Sequence, residues 1–201
     1  MKTLLLNPPS FENFDGGAGS RFPATRETLS FWYPVWLTYP AGMLAGSRLL
    51  DAPPNKITPT ETIRIAQDYD FVVLFTSTIG FSSDLNLIRQ MKEAKPDLKI
   101  AFVGPHVQMQ PTESLLASED IDFVVQGEFD YAVVEFAQGK PLNEILGISY
   151  RRNGKVVSNA PRPPLETEDL DRLPFATEVY KRDLVIENYN MPFLMYPYVS
   201  F

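Results

Sequence analysis

Four short apolar runs recur along the chain, at residues 2–7, 71–75, 100–103 and 121–125. Proline, glycine or small polar residues follow them, which is typical of a buried strand that breaks into a loop. Residues 71–75 and 100–103 are apolar without alternation, as in strands that are covered on both faces. We therefore predict that these two runs are central strands of a parallel sheet.

Helical patterns separate the apolar runs. Thr58-Pro59-Thr60-Glu61 has the pattern of a capping box with proline at the first helical position, so a helix should run from there to about Tyr69. Further helices are predicted at residues 40–50, 83–94, 111–117 and 131–137. Alternation of strands and helices of this length predicts an α/β, doubly wound domain of the Rossmann or flavodoxin-like kind over residues 1–146. We expect its parallel sheet to have five strands, one more than the four runs identify.

The pattern changes after Gly147. Residues 148–152 and 155–159 flank Asn153-Gly154, a dipeptide that favours a two-residue hairpin turn, so residues 147–159 are predicted to be a small appended β-hairpin. Residues 160–201 begin with a polar, proline-rich stretch typical of a linker. We expect this segment to pack loosely and to lead to a further domain that the chain lacks.

Composition narrows the classes of function. With 18 basic and 25 acidic residues the net charge is −7, which disfavours nucleic acid as a partner. No apolar run is long enough for a membrane span, and the amino-terminal run is too short for a signal peptide, so a cytoplasmic location is expected. The chain has no cysteine, which excludes a thiol nucleophile and a cysteine-ligated cluster within it.

The loops at the carboxyl ends of the predicted strands are the candidate binding site, because ligands of open parallel sheets bind at that edge. These loops offer hydroxyls, glycines, one carboxylate and the only histidine of the chain, a set that suits recognition better than covalent catalysis. The candidate residues are Asn7, Pro8, Pro9, Thr76, Ser77, Thr78, Gly104, Pro105, His106, Gly127 and Glu128.

Several common motifs are absent or incomplete. The strand ends carry Asn7 and Thr76 where a phosphate-accepting receiver domain needs carboxylates. The glycines at 16–19 lack the preceding strand and following helix of a dinucleotide fingerprint, and no phosphate-loop sequence is present. Asp120 and Asp122 flank a strand start and are expected to be solvated rather than to act as an acid–base pair.

Five segments, taken in order, resemble the amino-terminal cobalamin-binding domain of cobalamin-dependent radical S-adenosylmethionine (SAM) enzymes. They are "TLLLNPP", "YPAGMLAGSRLLD", "VVLFTSTIGFSSDLNLIRQMKEAKPDLKIAFVGPHVQMQPTESL", "DFVVQGEFDYAVVEF" and "GISYRRNGKVVSNAPRPPLETEDLDRLPF". The stretch "NPPSFENFDGGAGSRFPATRETLSFWYPVWL" is more specifically similar to radical SAM proteins associated with hopanoid lipid biosynthesis.

The resemblance implies cobalamin as the cofactor and a carboxyl-terminal radical SAM domain as the missing partner. That domain would carry SAM and a 4Fe–4S cluster, and the hopanoid likeness implies a lipid substrate for the longer protein. The longer protein is then expected to be an enzyme, performing methyl transfer or a radical rearrangement, whereas this cysteine-free chain is not expected to be one by itself.

The resemblance also assigns roles to single residues. Many cobalamin proteins supply the lower cobalt ligand from Asp-x-His-x-x-Gly after the first strand, but this chain has Asn7-Pro8-Pro9 there. His106 is then expected to line the pocket, with an ordinary loop role, a cobalt ligand or a proton shuttle as alternatives. Residues 76–78 either hydrogen-bond to the nucleotide tail or cap the next helix, and Glu128 either contacts the cofactor or caps a turn. The aromatic residues 31–36 either pack between domains or contact the cofactor.

Two other hypotheses stay open at this point. The domain could be a flavodoxin-like module for a flavin or another nucleotide, although Pro8-Pro9 stands where hydroxyls would favour it. It could also be a degenerate domain that binds nothing and serves as an interdomain docking surface.

Overall fold

The computed structural model describes residues 1–9 and 31–189. The strands are β1 (Thr3–Asn7), β2 (Arg48–Asp51), β3 (Phe71–Phe75), β4 (Lys99–Val103), β5 (Phe123–Val125), β6 (Ile148–Arg152) and β7 (Lys155–Ser158). The helices are α1 (Val35–Met43), α2 (Pro59–Ala66), α3 (Phe81–Ala94), α4 (Pro105–Met109), α5 (Pro111–Ala117), α6 (Asp130–Ala137), α7 (Thr167–Asp171) and α8 (Ala176–Asp183), with single 3₁₀ turns at Leu142–Glu144 and Ile186–Asn188.

All seven strands form one sheet in the order β2-β1-β3-β4-β5-β6-β7. The first five are mutually parallel, and β6 and β7 extend the sheet as an antiparallel hairpin. This confirms the predicted doubly wound α/β fold with its five parallel strands and appended hairpin. The strand order reverses direction between β1 and β3, and the crevice at such a switch point is where open α/β sheets bind ligands.

The two faces of the sheet bury separate cores, which is why the central strands carry no polar alternation. Leu5, Val73 and Ala101 point to one face and pack with α1, α6 and α8. Their neighbours Val72 and Phe102 point to the other face, under α2, α3 and α5. The prediction that residues 71–75 and 100–103 are central parallel strands is therefore confirmed.

Local sequence patterns explain the ends of several elements. Thr58 caps α2, because its hydroxyl accepts a hydrogen bond of 3.2 Å from the backbone N–H of Glu61. Asn153 and Gly154 both have positive φ, at 52° and 74°, as the predicted two-residue hairpin turn requires. Both predictions are confirmed.

The predicted helix over residues 40–50 is wrong in its extent. The helix is α1, which begins at Val35, carries Pro40 inside it and ends at Met43. Gly46 then adopts a φ of 72°, and the chain turns into the buried strand β2. A short apolar pair such as Leu49-Leu50 fits either a helix face or a strand, so periodicity alone could not separate them.

The prediction that residues 160–201 pack loosely is wrong for residues 176–189. Helix α8 lies against α1, and Val179 and Tyr180 are buried in the same core as the sheet. Tyr189 is also fully buried, at 0% exposure. Gly42 permits this packing, since a Cβ at position 42 would lie 2.7 Å from Cβ of Pro174. Residues 190–201 are outside the described part of the chain.

The aromatic segment at 31–36 packs inside this chain. Tyr33 is sandwiched between the rings of Tyr180 and Tyr189, with both pairs of ring centroids 4.4 Å apart. Trp32 is 49% exposed, whereas Phe31 is buried. Among residues 1–9 and 31–189, no helix is long and apolar enough to cross a bilayer.

Candidate functional site

The predicted site residues all lie at the carboxyl edge of the parallel sheet, but the structure divides them into separate groups. Asn7 is the last residue of β1, Pro8 and Pro9 follow it, and all three are buried. Residues 76–78 follow β3, Gly104 to His106 follow β4, and Gly127 and Glu128 follow β5.

Asn7 belongs to a buried polar cluster. Its side-chain amide donates a hydrogen bond of 2.7 Å to Oδ1 of Asp51, at the end of β2, and the hydroxyl of Tyr189 donates one of 2.8 Å to Oδ2. Asp51 is 1% exposed, and burial raises its pKa to about 7 while the hydrogen bonds from Asn7 and Tyr189 oppose that rise. The amide of Asn7 is thus engaged within the protein, and sequence reasoning missed Asp51 because it lay beyond the end of a predicted helix.

Thr76 is also buried and engaged. Its hydroxyl donates a hydrogen bond of 2.7 Å to Oδ2 of Asp84 in α3. Gly104 passes close to the same turn: it has a φ of 109°, and a Cβ there would lie 2.5 Å from the carbonyl oxygen of Thr76. Only glycine therefore lets the β3 and β4 loops approach this closely.

His106 does not lie in a loop, because the chain turns into the short helix α4 at Pro105. Its ring packs on Phe81 with centroids 4.0 Å apart, and its Nδ1 lies 3.3 Å from the hydroxyl oxygen of Thr78. Burial lowers the pKa of His106, so the neutral ring is favoured. Thr78 itself is an exposed residue.

Ser77 and Glu128 have partners within the chain. The hydroxyl oxygen of Ser77 accepts a hydrogen bond of 3.2 Å from the backbone N–H of Gly80, just before α3. The carboxylate of Glu128 accepts one of 3.0 Å from the backbone N–H of Leu165, at the surface. The bond of Ser77 closes the turn that leads into α3, whereas Glu128 contacts a segment 37 positions later in the chain and does not cap a local turn.

A cleft of ≈ 470 Å³ opens at this edge between α1 and the loop from β5 to α6. Its lining is formed by Trp36, Tyr39, Gln108, Gly127, Glu128, Phe129 and Asp130. The indole of Trp36 packs on Phe75 at the end of β3, with ring centroids 5.0 Å apart. Gly127 has a φ of 74° and open space where a Cβ would be, so a ligand could approach its backbone.

Two atoms at this cleft are buried without a hydrogen-bond partner among the described residues. They are Nε1 of Trp36 and Oδ1 of Asp130. Burial raises the pKa of Asp130 to about 6; its own backbone N–H opposes the rise, and the charge of Glu128 adds to it. Such unpaired groups are rare in folded proteins, and Nε of Arg162, away from this cleft, is another among the described residues.

Residues 23–137 match the sequence model of the B12 binding domain family. This chain belongs to the B12-binding domain family.

Relatives of this B12-binding domain include longer enzymes. It is 28% identical over 178 residues to an uncharacterized methyltransferase of Pyrococcus horikoshii, covering 84% of this chain and 37% of that protein. It is 26% identical over 185 residues to the anaerobic magnesium-protoporphyrin IX monomethyl ester cyclase of Synechocystis, covering 86% of this chain and 35% of that protein. The chain thus spans a little over a third of the length of these relatives.

Solved structures share the fold. The B12-binding domain superposes on the radical SAM methyltransferase TsrM of Kitasatospora setae with a TM-score of 0.58, at 13% identity, covering 82% of this chain and 31% of TsrM. A second TsrM structure, with cobalamin and a 4Fe–4S cluster bound, gives a TM-score of 0.57 at 13% identity, covering 82% of this chain and 30% of TsrM.

Sequence reasoning found only two of the cleft residues in this B12-binding domain, Gly127 and Glu128. It missed Asp130, which is two positions beyond Glu128, and it left Trp36 open between packing and ligand contact. No motif marks either residue, because the cleft forms only when α1 lies beside the β5–α6 loop. Within residues 1–9 and 31–189, no group of three or more histidine or acidic side chains is arranged to hold a metal ion.

Proposed function

We propose that this domain binds cobalamin at the carboxyl edge of its parallel sheet, with the cofactor seated in the cleft between α1 and the β5–α6 loop. Membership of the B12-binding domain family is the observation that carries the proposal. The cleft supports it, because it opens at the carboxyl ends of the parallel strands, the edge at which open α/β sheets bind ligands.

The described residues fit such a cofactor. Trp36, Tyr39 and Phe129 offer apolar surface to a large flat ring, and Gly127 leaves room for close approach to the backbone. Trp36 and Asp130, which also line the cleft, each bury one polar atom that has no hydrogen-bond partner among the described residues.

The residues would hold the organic part of the cofactor rather than its metal. His106 is the only histidine of the chain; it is 7% exposed, packs on Phe81 and is not among the residues that line the cleft. Asn7 at the end of β1 and the two prolines after it supply no imidazole. Cobalamin, when bound, would supply the group-transfer or radical chemistry, while this domain orients it and shields one side from water.

The loop after β3 is the proposed site of the nucleotide tail. Thr78 is exposed there, with its hydroxyl oxygen 3.3 Å from Nδ1 of His106, and Ser77 is half-buried. Thr76 would act indirectly, since its bond to Asp84 fixes the loop in which the other two hydroxyls lie. Gly104 and Pro105 would keep the neighbouring loop close to that turn.

We also propose that the longer protein is a radical SAM enzyme in which another domain carries SAM and the 4Fe–4S cluster. The chain has no cysteine to ligate such a cluster, and it spans little more than a third of its methyltransferase and cyclase relatives. The likeness of the segment beginning at Asn7 to hopanoid-associated radical proteins supports a lipid substrate. An assay of the longer protein with SAM and hopanoid lipids tests that substrate class, and turnover only of non-lipid substrates would contradict it.

The test of cofactor identity is a spectrophotometric titration of the 201-residue chain with hydroxocobalamin, and in parallel with flavin mononucleotide. We expect saturable spectral changes and co-elution on gel filtration with hydroxocobalamin alone. Gln108→Trp should block binding, because bulk in a preformed pocket excludes the ligand. The matched control is Gln138→Trp, an exposed substitution beyond the end of α6, which should bind like wild type.

Binding of the flavin instead would support a flavodoxin-like module, and binding of neither ligand would support a docking domain. Either result would overturn the proposal. Equal binding by Gln108→Trp and wild type would show that the site is not this cleft.

A further inference from the structure

The ring of Phe75, the last residue of β3, contacts two parts of the carboxyl edge of the sheet. It packs on the indole of Trp36, with ring centroids 5.0 Å apart and ring planes inclined by 36°. It also lies against the backbone of Gly104 after β4, because a Cβ at position 104 would be 3.1 Å from Cε2 and 3.2 Å from Cδ2 of the ring. Trp36 lines the cleft between α1 and the β5–α6 loop, whereas Phe75 is not among the lining residues.

Packing, and not a hydrogen bond, holds the indole of Trp36. Its Nε1 is buried and has no hydrogen-bond partner among the described residues. A side chain without a polar anchor keeps its orientation only through the atoms that it packs against. Within residues 1–9 and 31–189, Phe75 supplies the aromatic contact of this indole.

The position of the Phe75 ring is in turn fixed by the two central strands. Phe75 and Val103 are partners in the parallel register of β3 and β4, and Gly104 follows directly. Gly104 has a φ of 109°, and a Cβ there would press on the carbonyl oxygen of Thr76 as well as on the ring. Glycine at position 104 therefore leaves the space that the ring of Phe75 occupies.

We propose that Phe75 is a positioning residue for cofactor binding, which passes the fixed geometry of β3 and β4 to Trp36 and so keeps the indole in place as a wall of the cleft. This inference rests on the proposed function and adds to it a residue that the cofactor does not touch. A flat ring binds an aromatic wall more tightly when that wall is already in place, because binding then orders no further side chain. Gly104 would serve the site by making room for Phe75.

The first measurement needs no ligand. The chain has two tryptophans, so Trp32→Phe leaves Trp36 as the only indole. In this background Phe75→Leu should move the tryptophan emission to longer wavelength and make it easier to quench with acrylamide, because the indole loses its aromatic support and meets more water. The thermal midpoint of each variant is measured to verify that it is folded at the temperature of the experiment.

The matched control is Phe136→Leu in the same background. Phe136 is also half-buried against the core on the α1 face of the sheet, and it packs on Phe71 and Phe123 with centroids 4.8 and 4.7 Å apart. It is not among the residues that line the cleft. Phe136→Leu should lower the thermal midpoint and leave the emission of Trp36 unchanged.

The second measurement titrates the same proteins with hydroxocobalamin and with cobinamide, which lacks the nucleotide tail. Phe75→Leu should weaken the binding of both ligands by roughly threefold to tenfold relative to the Trp32→Phe protein, the factor that corresponds to one aromatic contact. Phe136→Leu should bind both within about twofold of that protein. A similar loss for the two ligands is expected because the wall contacts the corrin ring, which both contain.

Three results would overturn this inference while the proposed cobalamin binding stands. Unchanged emission of Trp36 in Phe75→Leu would show that Phe75 does not hold the indole. Changed emission with unchanged affinity would show that the cofactor does not use this wall. An equal loss of affinity in Phe136→Leu would show that any weakening of the core has the same effect. Absence of hydroxocobalamin binding by wild type would instead overturn the proposed function and this inference together.

Discussion

The hydroxyl of Tyr189 donates a hydrogen bond of 2.8 Å to the carboxyl of Asp51, a residue 138 positions earlier in the chain. The other oxygen of Asp51 accepts from Asn7, so one buried carboxyl joins the ends of β1 and β2 to the segment after α8. The ring of Tyr189 also stacks on Tyr33. This cluster explains why residues 176–189 pack as part of the domain.

Tyr189→Phe should destabilise the fold by about 1–3 kcal/mol, because it leaves one oxygen of a buried carboxyl without its donor. Chemical denaturation of wild type, Tyr189→Phe, Asp51→Asn and the double variant measures this. This double-mutant cycle should give a coupling free energy of at least about 0.5 kcal/mol between Tyr189 and Asp51. If the free-energy changes of the two single variants add up to that of the double variant, the hydrogen bond between Tyr189 and Asp51 does not contribute to stability.

Asp51 should make the fold less stable as the pH rises toward neutrality. Its pKa rises from an ordinary value of 3.8 to about 7 on folding, so the native state binds more protons within that window. The contribution of Asp51 to the free energy of unfolding is fully present below pH 3.8 and is lost as the pH rises through about 7. The loss can reach a few kcal/mol, because each pKa unit corresponds to roughly 1.4 kcal/mol.

The measurement is the free energy of unfolding of wild type and Asp51→Asn from pH 4 to pH 8. The pKa of Asp130 is also raised and that of His106 is lowered. Both residues are present in the two proteins, so their contributions cancel when the free energy of unfolding of one protein is subtracted from that of the other. We expect wild type to lose stability relative to Asp51→Asn as the pH rises. A difference that stays constant with pH would contradict the buried-carboxyl account.

Gly42→Ala should destabilise the contact between α1 and the segment before α8. The added methyl would lie 2.7 Å from Cβ of Pro174 and closer still to Cγ, so the segment must move, at on the order of 1–3 kcal/mol. This exceeds the gain of up to about 1 kcal/mol that alanine brings to a helix. In a Pro174→Gly background the same substitution should cost less, and an equal cost in both backgrounds would show that Pro174 is not the obstacle.

The elements that sequence reasoning predicted are those whose signal is local. Residues 71–75 could be predicted as a central strand because every side chain is apolar. The turn at Asn153-Gly154 could be predicted because these two residues tolerate positive φ. The strand at Arg48–Asp51 was missed because four residues carry too little periodicity. The hydrogen bonds of Asp51 and the cleft beside Trp36 depend on contacts between residues that are distant in sequence, so no sequence motif predicts them.

His106 should affect cofactor binding only modestly. Its ring is packed on Phe81 beside Thr78, outside the lining of the cleft. The test uses cobinamide, which lacks its own benzimidazole, and records electron paramagnetic resonance of the reduced cobalt(II) form in wild type and His106→Ala. We expect no nitrogen superhyperfine splitting in either protein, and affinities within roughly fivefold of each other. Splitting in wild type that disappears in His106→Ala would show direct coordination.

Ser77→Leu should weaken hydroxocobalamin binding more than His106→Ala does. Bulk at the mouth of the loop after β3 would exclude the nucleotide tail, whereas a single lost hydrogen bond contributes about 1 kcal/mol. Cobinamide has no such tail, so its binding should be unaffected by Ser77→Leu. Equally weakened binding of hydroxocobalamin and cobinamide would indicate that the substitution disturbs the turn closed by the hydrogen bond from Gly80 to Ser77, rather than the tail site.

A crystal structure of the chain with bound hydroxocobalamin tests the central claim most directly. The account predicts density for the corrin ring in the cleft between α1 and the β5–α6 loop, in contact with Trp36 and Phe129 and with the backbone of Gly127. A corrin ring in the separate cleft beside Ser158 and Arg162, or cobalt ligated by His106, would contradict it.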